Sequence, residues 1–414
     1  MTRTHSFKMA AGSFLCVLAS VLAGGLVISA QSDPARLPLL AEDALRYVGG
    51  FRLPAGVING EDFSFGGRVM TYNPTNNTMF VSSYRSAVAE VTIPAAVNSQ
   101  DVEALPFAEF VQPFADPTDG HLDDISTIGV SVTGLLVSGD RLIVSASIYY
   151  DANNTQRFSH FSRSLKLNQR SFSGWSQVWD AGRTGFVSGA MAPVPPEWQA
   201  SLGGAAITGQ CCIPIVYRTS NGPAAFAFDP TRIGEFAVAA TPLLYYTLEH
   251  ATLGPWDGSN PTYGATTGMG GLVVIAGTRT ALYFGSNGTG PHCYGSGTAD
   301  KSLDNTRSAD GETLCYDPTT NSKGSHAYPY RYQVWAYDLN DFAAVRTGSK
   351  QPWDVVPYAV WPLTFPTLEP SVHLGGVAYD AQRQIIYVSQ LGADADLYSS
   401  RPVIHAFRIA VPPR

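Results

Sequence analysis

Two stretches that lie about three hundred residues apart have the same layout. Leu374–Gln390 reads "LGGVAYDAQRQIIYVSQ", and Phe65–Ser83 reads "FGGRVMTYNPTNNTMFVSS". Each contains a Gly-Gly pair, a short apolar strand ending in Tyr-Asp or Tyr-Asn, a polar turn, and an apolar strand ending in Val-Ser. The repetition predicts an architecture in which one supersecondary unit recurs along the chain.

Three further stretches repeat this layout in a degenerate form: "TGLLVSGDRLIVSAS" from Thr133, "TGQCCIPIVYRTSNG" from Thr208 and "MGGLVVIAGTRTALYFGSNG" from Met269. Each strand pair is followed by a third apolar strand and preceded by another. The preceding strands begin at Arg46, Ala108, Trp175, Thr241 and Pro357. The pattern predicts five units of four strands, the first four of which begin about sixty to eighty residues apart.

Five such units in one chain resemble a β-propeller. The resemblance implies an all-β fold, a five-bladed β-propeller of four-stranded blades, with glycines where the innermost strands crowd the axis. The strand at Arg46–Leu53 has no unit before it, so it is expected to complete the last blade beside Val403–Val411 and close the ring. An open β-sandwich, two stacked β-domains, or six or seven blades are the alternatives. No motif of a particular propeller family is present.

The first thirty residues have the features of an export signal. Arg3 and Lys8 precede an apolar run from Met9 to Ile28, and "VISA" offers a cleavage site after Ala30. We therefore expect residues 1–30 to be a signal peptide, residues 31–414 to be a single β-propeller domain, and the protein to be secreted or periplasmic. A membrane anchor is the alternative for the apolar run.

Composition limits the partners and the redox state. Loss of Arg3 and Lys8 with the leader leaves 24 basic and 33 acidic residues, a formal charge of −9. Without basic clusters, nucleic acid is not an expected partner, and neither is a membrane after cleavage.

Four cysteines remain, and Cys293–Cys315 is the preferred bridge because adjacent Cys211 and Cys212 cannot easily serve two partners. Cys211 and Cys212 are assigned to the innermost strand of the third unit, either as a vicinal disulfide platform or as two buried thiols.

Long connections are predicted on one face of the ring, at Pro54–Ser64, Pro113–Val132, Ala181–Ala206, Leu248–Thr267, Thr364–Val372 and, above all, in the insertion 286–326. The site is expected at the axis mouth on that face. The candidate catalytic residues are His160, Tyr150, Arg218, His121 and His326. The candidate ligand-binding residues are Tyr328, Arg163, Trp198, Cys211 and Cys212.

These residue types favour an extracellular glycan or another small ligand, bound without a cofactor or metal. A polysaccharide lyase acting on a uronate-containing glycan is the alternative, with a His or Tyr base and an arginine to stabilise charge. Another propeller enzyme, a hydrolase or an oxidoreductase, is the third possibility. The five predicted innermost strands begin without the acids of a glycosidase or the four histidines of an iron oxygenase. A shallow aromatic mouth would favour binding, and a deep cleft with a base beside an arginine would favour a lyase.

Overall fold

The structure is a computed structural model that describes residues 1–2, 33–210, 215, 217–250, 253–258, 260, 262–367 and 372–411. The predicted signal peptide therefore lies almost wholly outside the described residues. From Asp33 onward the chain packs as one compact unit.

Five antiparallel sheets follow one another along the described chain. In order from the innermost strand outward, sheet I contains β2 (Met70–Asn73), β3 (Thr78–Ser82), β4 (Val88–Thr92) and β5 (Phe110–Ala115). Sheet II contains β6 (Val130–Ser138), β7 (Arg141–Ile148) and β8 (His160–Ser164). Sheet III contains β10 (Met191–Pro193), β11 (Ala206–Thr208), β12 (Ala225–Phe228) and β14 (Ala240–Leu244). Sheet IV contains β17 (Gly268–Val274), β18 (Thr280–Gly288), β22 (Tyr330–Asp338) and β23 (Ala359–Pro362).

Sheet V joins the two ends of the chain. Its order is β24 (Leu374–Asp380), β25 (Ile385–Ala395), β26 (Ser400–Ile409) and then β1 (Leu45–Arg52). Leu45 pairs with Ile409 and Arg52 with Val403, in an antiparallel ladder. This ladder confirms the prediction that the first strand pairs in one sheet with the last. The pairing is favourable because it covers the outer edge of β26.

Two strand assignments made from the sequence are wrong. The innermost strand of sheet III is β10, and the segment at Thr208 ends the second strand instead of starting the first. The strand expected from Trp175 contributes to sheet II only a bridge between Ser176 and His160. Its continuation, β9 (Gln177–Val178), pairs in parallel with β13 (Ala237–Val238). Polar Ser, Gln and Asp residues weaken the strand pattern there.

The remaining elements lie in the connections between the main strands. A small sheet in the insertion consists of β19 (Cys293–Thr298), β20 (Leu314–Tyr316) and β21 (Lys323–His326), and β15 (Glu249–His250) pairs with β16 (Gly254–Pro255). The helices are α1 (Pro196–Leu202) and α2 (Leu339–Arg346). Proline opens α1 and left-handed Gly203 ends it, while the Asp338 side chain caps α2 by accepting from Asn340 N–H at 2.9 Å. Short 3₁₀ turns occur at Pro34–Arg36, Glu42–Ala44, Val102–Ala104, Leu122–Asp124, Thr184–Phe186, Pro230–Arg232, Lys301–Leu303 and Pro352–Asp354.

The hydrophobic core lies between consecutive sheets. Side chains alternate along each strand, so a strand can bury two faces. Phe80 of sheet I packs toward sheet II, while Met79 and Val81 pack toward sheet V with Tyr387 and Ile404. Equivalent clusters join sheets II and III, III and IV, and IV and V. The last sheet thus packs against the first, which is the arrangement of a β-propeller.

The innermost strands meet at a crowded axis. Each contacts the next, and β24 contacts β2. A Cβ added to Gly134 would overlap the carbonyl oxygen of Gly189, and one added to Gly375 would overlap that of Gly67. Glycine is needed at these positions because backbones approach each other directly, as the sequence predicted.

Candidate functional site

Topology places most of the long connections on one face of the propeller, although those at 93–109 and 339–358 lie on the opposite face. In each sheet, the second strand ends at the face with most of the long connections, and the innermost strand begins there. We call it the loop-rich face. It is formed by the connections that follow β3, β7, β11, β18 and β25 and by those that lead into β2, β6, β10, β17 and β24. The largest connection is the insertion between β18 and β22, which the Cys293–Cys315 bridge closes with a Cα–Cα distance of 5.7 Å. The predicted pairing of these two cysteines is confirmed.

Exposed tyrosines are distributed around this face. Every connection between a second and a third strand presents at least one, with exposed fractions from 60% to 93%: Tyr84, Tyr149 and Tyr150, Tyr217, Tyr294, and Tyr398. We call this set the tyrosine ring. Phe65, from the connection leading into β2, packs edge-on against Tyr84 with 6.2 Å between ring centroids.

The axis itself is narrow. Its central space has a volume of about 10 Å³ and is lined by residues of all five innermost strands or their entrances, among them Arg68, Thr133, Ala190, Gly270 and Gly376. A broader, shallow depression of about 400 Å³ lies away from the axis, between Pro54–Ile58 and Phe107–Phe110. The described residues contain no group of His, Cys, Asp or Glu side chains able to hold a metal ion.

Tyr150 and Arg218 lie on neighbouring connections of the loop-rich face. Tyr150 is 68% exposed, and Arg218 Nη2 donates to the backbone oxygen of Ala152 at 3.1 Å. Burial raises the pKa of Asp151, but hydrogen bonds from Thr155 and Gln156, helped by the charge of Arg218, lower it overall. Arg218 therefore anchors the connection that carries Tyr150.

His160 is not the accessible base that the sequence suggested. Its side chain is fully buried between sheets II and III, with Nδ1 2.9 Å from Ser159 Oγ and Nε2 3.1 Å from Thr208 Oγ1. Burial lowers its pKa to about 3, so the ring is neutral at physiological pH. No solvent reaches the His160 side chain, so the predicted contact between His160 and a ligand at the mouth is wrong. His160 packs between the two sheets instead.

Arg163 and Trp198 are also corrected to structural roles. Arg163 is fully buried, pairs with Asp119 at 3.3 Å, and donates to several backbone carbonyls, including that of Leu167 at 3.0 Å. Trp198 lies on α1, between the first two strands of sheet III and thus opposite the loop-rich face. It is buried and donates from Nε1 to Thr278 O at 2.8 Å.

His326 lies inside the insertion rather than at the axis. It is buried, with Nδ1 2.8 Å from Asp317 Oδ2 and Nε2 3.1 Å from the backbone oxygens of Gly295 and Ser322. Tyr330 donates to the same Asp317 oxygen at 2.7 Å. The network stabilises the insertion, so a catalytic role at the mouth is not supported.

Tyr328 and His121 keep some accessible surface. Tyr328 is half-buried and packs edge-on against Tyr316 at 5.5 Å between centroids. His121 is exposed, stacks on Phe172 at 4.3 Å, and contacts Asp124 Oδ2 through Nδ1 at 2.9 Å. No described contact joins either residue to Tyr150 or Arg218.

Cys211 and Cys212 lie outside the described residues.

Sequence reasoning missed Arg68 and most of the tyrosine ring. A signal was present, since a tyrosine soon follows the second strand in "SSYR", "SIYYD", "IVYR" and "DLYSS". Arg68 is also the one charged residue that follows the glycine or glycine pair at the start of the five repeats.

Comparison with known proteins assigns the chain to no family. No protein-family model and no curated protein matches the chain. Among solved structures, similarity is found to the β-propeller domain of Cps50 (Swd1) from Myceliophteria thermophila, with 6% identity over 82% of this chain and 69% of that one and a TM-score of 0.31. Raptor from Chaetomium thermophilum is 10% identical over 92% of this chain and 30% of its own length, with a TM-score of 0.32. The periplasmic gluconolactonase PpgL of Pseudomonas aeruginosa is 11% identical over 83% and 73% of the two chains, with a TM-score of 0.29.

The packing of successive sheets around the axis identifies the fold as a β-propeller. These similarities are too remote to say anything of the propeller's activity. Within the described residues, none of the helices has the length and apolar character needed to cross a bilayer.

Proposed function

We propose that this propeller is an exported protein that binds an extracellular glycan across its loop-rich face. The observation that carries the proposal is the tyrosine ring, in which each connection between a second and a third strand contributes an exposed tyrosine. Large apolar side chains gathered on one face of a soluble protein usually mark a binding surface.

Tyrosine suits sugars for physical reasons. Its ring is a flat apolar surface on which the C–H groups of a pyranose can pack, and its hydroxyl group can donate to or accept from sugar hydroxyls. The side chain has few rotatable bonds, so little entropy is lost on binding. A ring of such residues favours an extended ligand that contacts several connections at once.

Binding fits the site better than lyase chemistry. A lyase needs a base and a cation within reach of one proton in a cleft. Of the histidines proposed for that role, His160 and His326 are buried in hydrogen-bonded networks, and the axis space of about 10 Å³ is too small to enclose a sugar ring. Exposed tyrosines around the loop-rich face support a binding protein.

We further propose that the propeller has five blades, with sheets I to V as the blades and the outer strand of sheet II reduced to a bridge. The shared clusters between successive sheets and the contact of β24 with β2 support this number. An experimental structure showing a sixth sheet in the ring, or a gap between sheets V and I, would contradict it.

Export is the third part of the proposal. The leader in the sequence and a disulfide in the insertion both suit an oxidising compartment. N-terminal sequencing of the protein recovered outside the cytoplasm should begin at Gln31, whereas an intact Met1 would contradict cleavage.

The binding proposal is tested with a glycan array and single tyrosine variants. Tyr84→Ala, Tyr217→Ala and Tyr398→Ala should each weaken binding to the best glycan by about 3- to 10-fold, since one aromatic contact contributes about 0.5–1.5 kcal/mol.

Phe236→Ala is the matched control. Phe236 is 70% exposed but lies between the third and fourth strands of sheet III, away from the loop-rich face. Its loss should leave affinity unchanged. The proposal is wrong if the wild-type protein binds no glycan, or if Phe236→Ala weakens binding as much as the tyrosine variants do.

A further inference from the structure

Arg68 is the one charged residue among those that follow an axis glycine in the five described sheets. The residues that follow the glycine or glycine pair in the other sheets are Leu135, Ala190, Leu272 and Val377. In the strand ladders, Leu135 and Val377 pair with the valine of a Val-Ser ending, and Met70 makes the equivalent pair in sheet I. Arg68 therefore lies two residues before the strand, at the entrance to the axis, and is not part of the strand packing.

The backbone places Arg68 at the axis mouth. Gly376 N–H donates to Gly67 O at 3.0 Å, and Gly375 lies directly against the same carbonyl. Arg68 follows Gly67 in sheet I, while His373 precedes the Gly375–Gly376 pair of the adjoining sheet V. Burial and the positive charge of Arg68 both lower the pKa of His373, in agreement with this proximity.

The side chain of Arg68 is accessible to solvent at the axis mouth. Arg68 is exposed, lines the central space, and forms no side-chain hydrogen bond or ion pair within the described part of the chain. Because that space is only about 10 Å³, a ligand group would sit over the mouth rather than inside the axis.

We propose that Arg68 binds the carboxylate of an acidic sugar, such as a uronate, while the tyrosine ring holds neighbouring sugar residues. The inference rests on the proposed glycan-binding function and names its ligand class. A guanidinium fork donates two parallel hydrogen bonds to one planar carboxylate. A carboxylate is favoured over a sulfate because a single fork engages both carboxylate oxygens, whereas it would leave sulfate oxygens unbound.

The experiment measures affinity by calorimetry for an oligogalacturonate, its carboxyl-reduced neutral counterpart, and a sulfated oligosaccharide of equal length. The wild-type protein should bind the oligogalacturonate at least tenfold more tightly than the reduced form. Arg68→Ala should lose about 10- to 100-fold for the acidic ligand and nothing for the reduced one, since hydrogen bonds to charged groups contribute about 1.5–3 kcal/mol. Arg68→Lys should keep part of the affinity.

Arg85→Ala is the matched control. Arg85 is an exposed arginine on the connection after β3, so its removal changes the net charge of the same face equally. At about 0.15 M salt, distant charges are largely screened. Arg85→Ala should therefore weaken the affinity for the oligogalacturonate by less than about threefold.

Each contrary outcome identifies what has failed. Equal wild-type affinity for acidic and reduced ligands, or equal losses from Arg68→Ala and Arg85→Ala, overturns the role of Arg68 and leaves glycan binding intact. A sulfated ligand that binds as tightly and depends equally on Arg68 overturns the carboxylate assignment. A wild-type protein that binds none of the three ligands and no glycan on the array overturns both proposals.

Discussion

Single residues at the axis and between the sheets determine how closely the propeller packs. Gly134 touches the backbone of Gly189, and Ser145 Oγ, on the strand next to Gly134, donates to Gly189 O at 2.9 Å. The second strands of the other sheets carry buried Ser82, Thr208, Ser286 and Ser389 near the same level. The Val-Ser ending in the repeat therefore supplies a small hydroxyl side chain where a larger one would push the innermost strands apart.

Gly134→Ala tests this close approach. The added methyl group would overlap Gly189 O, so we expect a loss of roughly 1–3 kcal/mol in the free energy of unfolding, measured with urea. Gly324→Ala is the control, because a Cβ at Gly324 meets nothing within 4 Å. Equal stability of the two variants would show that the axis can relax.

Buried histidines should make the protein less stable in acid. The folded-state pKa values of His160 and His405 lie at about 3, below the ordinary 6.5, because burial disfavours the charged ring. Between those values the unfolded chain binds more protons, so the free energy of unfolding falls as the pH is lowered through this range. Each histidine contributes about 1.4 kcal/mol per pH unit.

Urea unfolding at pH 7 and pH 5 measures this effect. Relative to wild type, His160→Gln should reduce the number of protons taken up on unfolding by one in this pH range. An unchanged slope in His160→Gln would contradict the buried neutral state of His160.

At the scale of elements, the insertion between β18 and β22 is a small structure of its own. It combines the β19–β21 sheet, the Cys293–Cys315 bridge, and the Asp317 carboxylate that accepts from Tyr330. Few apolar side chains support it, so covalent and polar links must stabilise it.

Replacing both Cys293 and Cys315 with serine should loosen the insertion and leave the ring intact. A bridge closing a loop of this size contributes about 3 kcal/mol in the chain-entropy model. Hydrogen exchange should accelerate across Cys293–His326 and remain slow in β22. Equal acceleration in β22 would mean that the insertion and sheet IV unfold together.

At the scale of the whole molecule, closure depends on β1. The strand covers the edge of β26 and places Phe51, which is fully buried, in the cluster between sheets V and I. A chain starting at residue 54 would expose both the edge and the cluster.

Such a truncated chain should have a lower Tm and form oligomers by size-exclusion chromatography, and a peptide covering residues 43–54 should restore the monomer. A chain starting at residue 33 keeps β1 and is the control. A stable monomer without β1 would show that the ring does not need this strand.

The sequence alone determined the repeat, the joining of the two chain ends, the axis glycines and the cysteine bridge. These features depend on local patterns: alternation along strands, turns between them, and a recurring Gly-Gly or Val-Ser signal. Only the tertiary structure decided that His160 contacts Thr208 and that Arg163 pairs with Asp119. Whether a polar side chain is buried depends on its contacts with residues of another sheet, often about fifty residues away in sequence. A local sequence pattern does not encode such a contact.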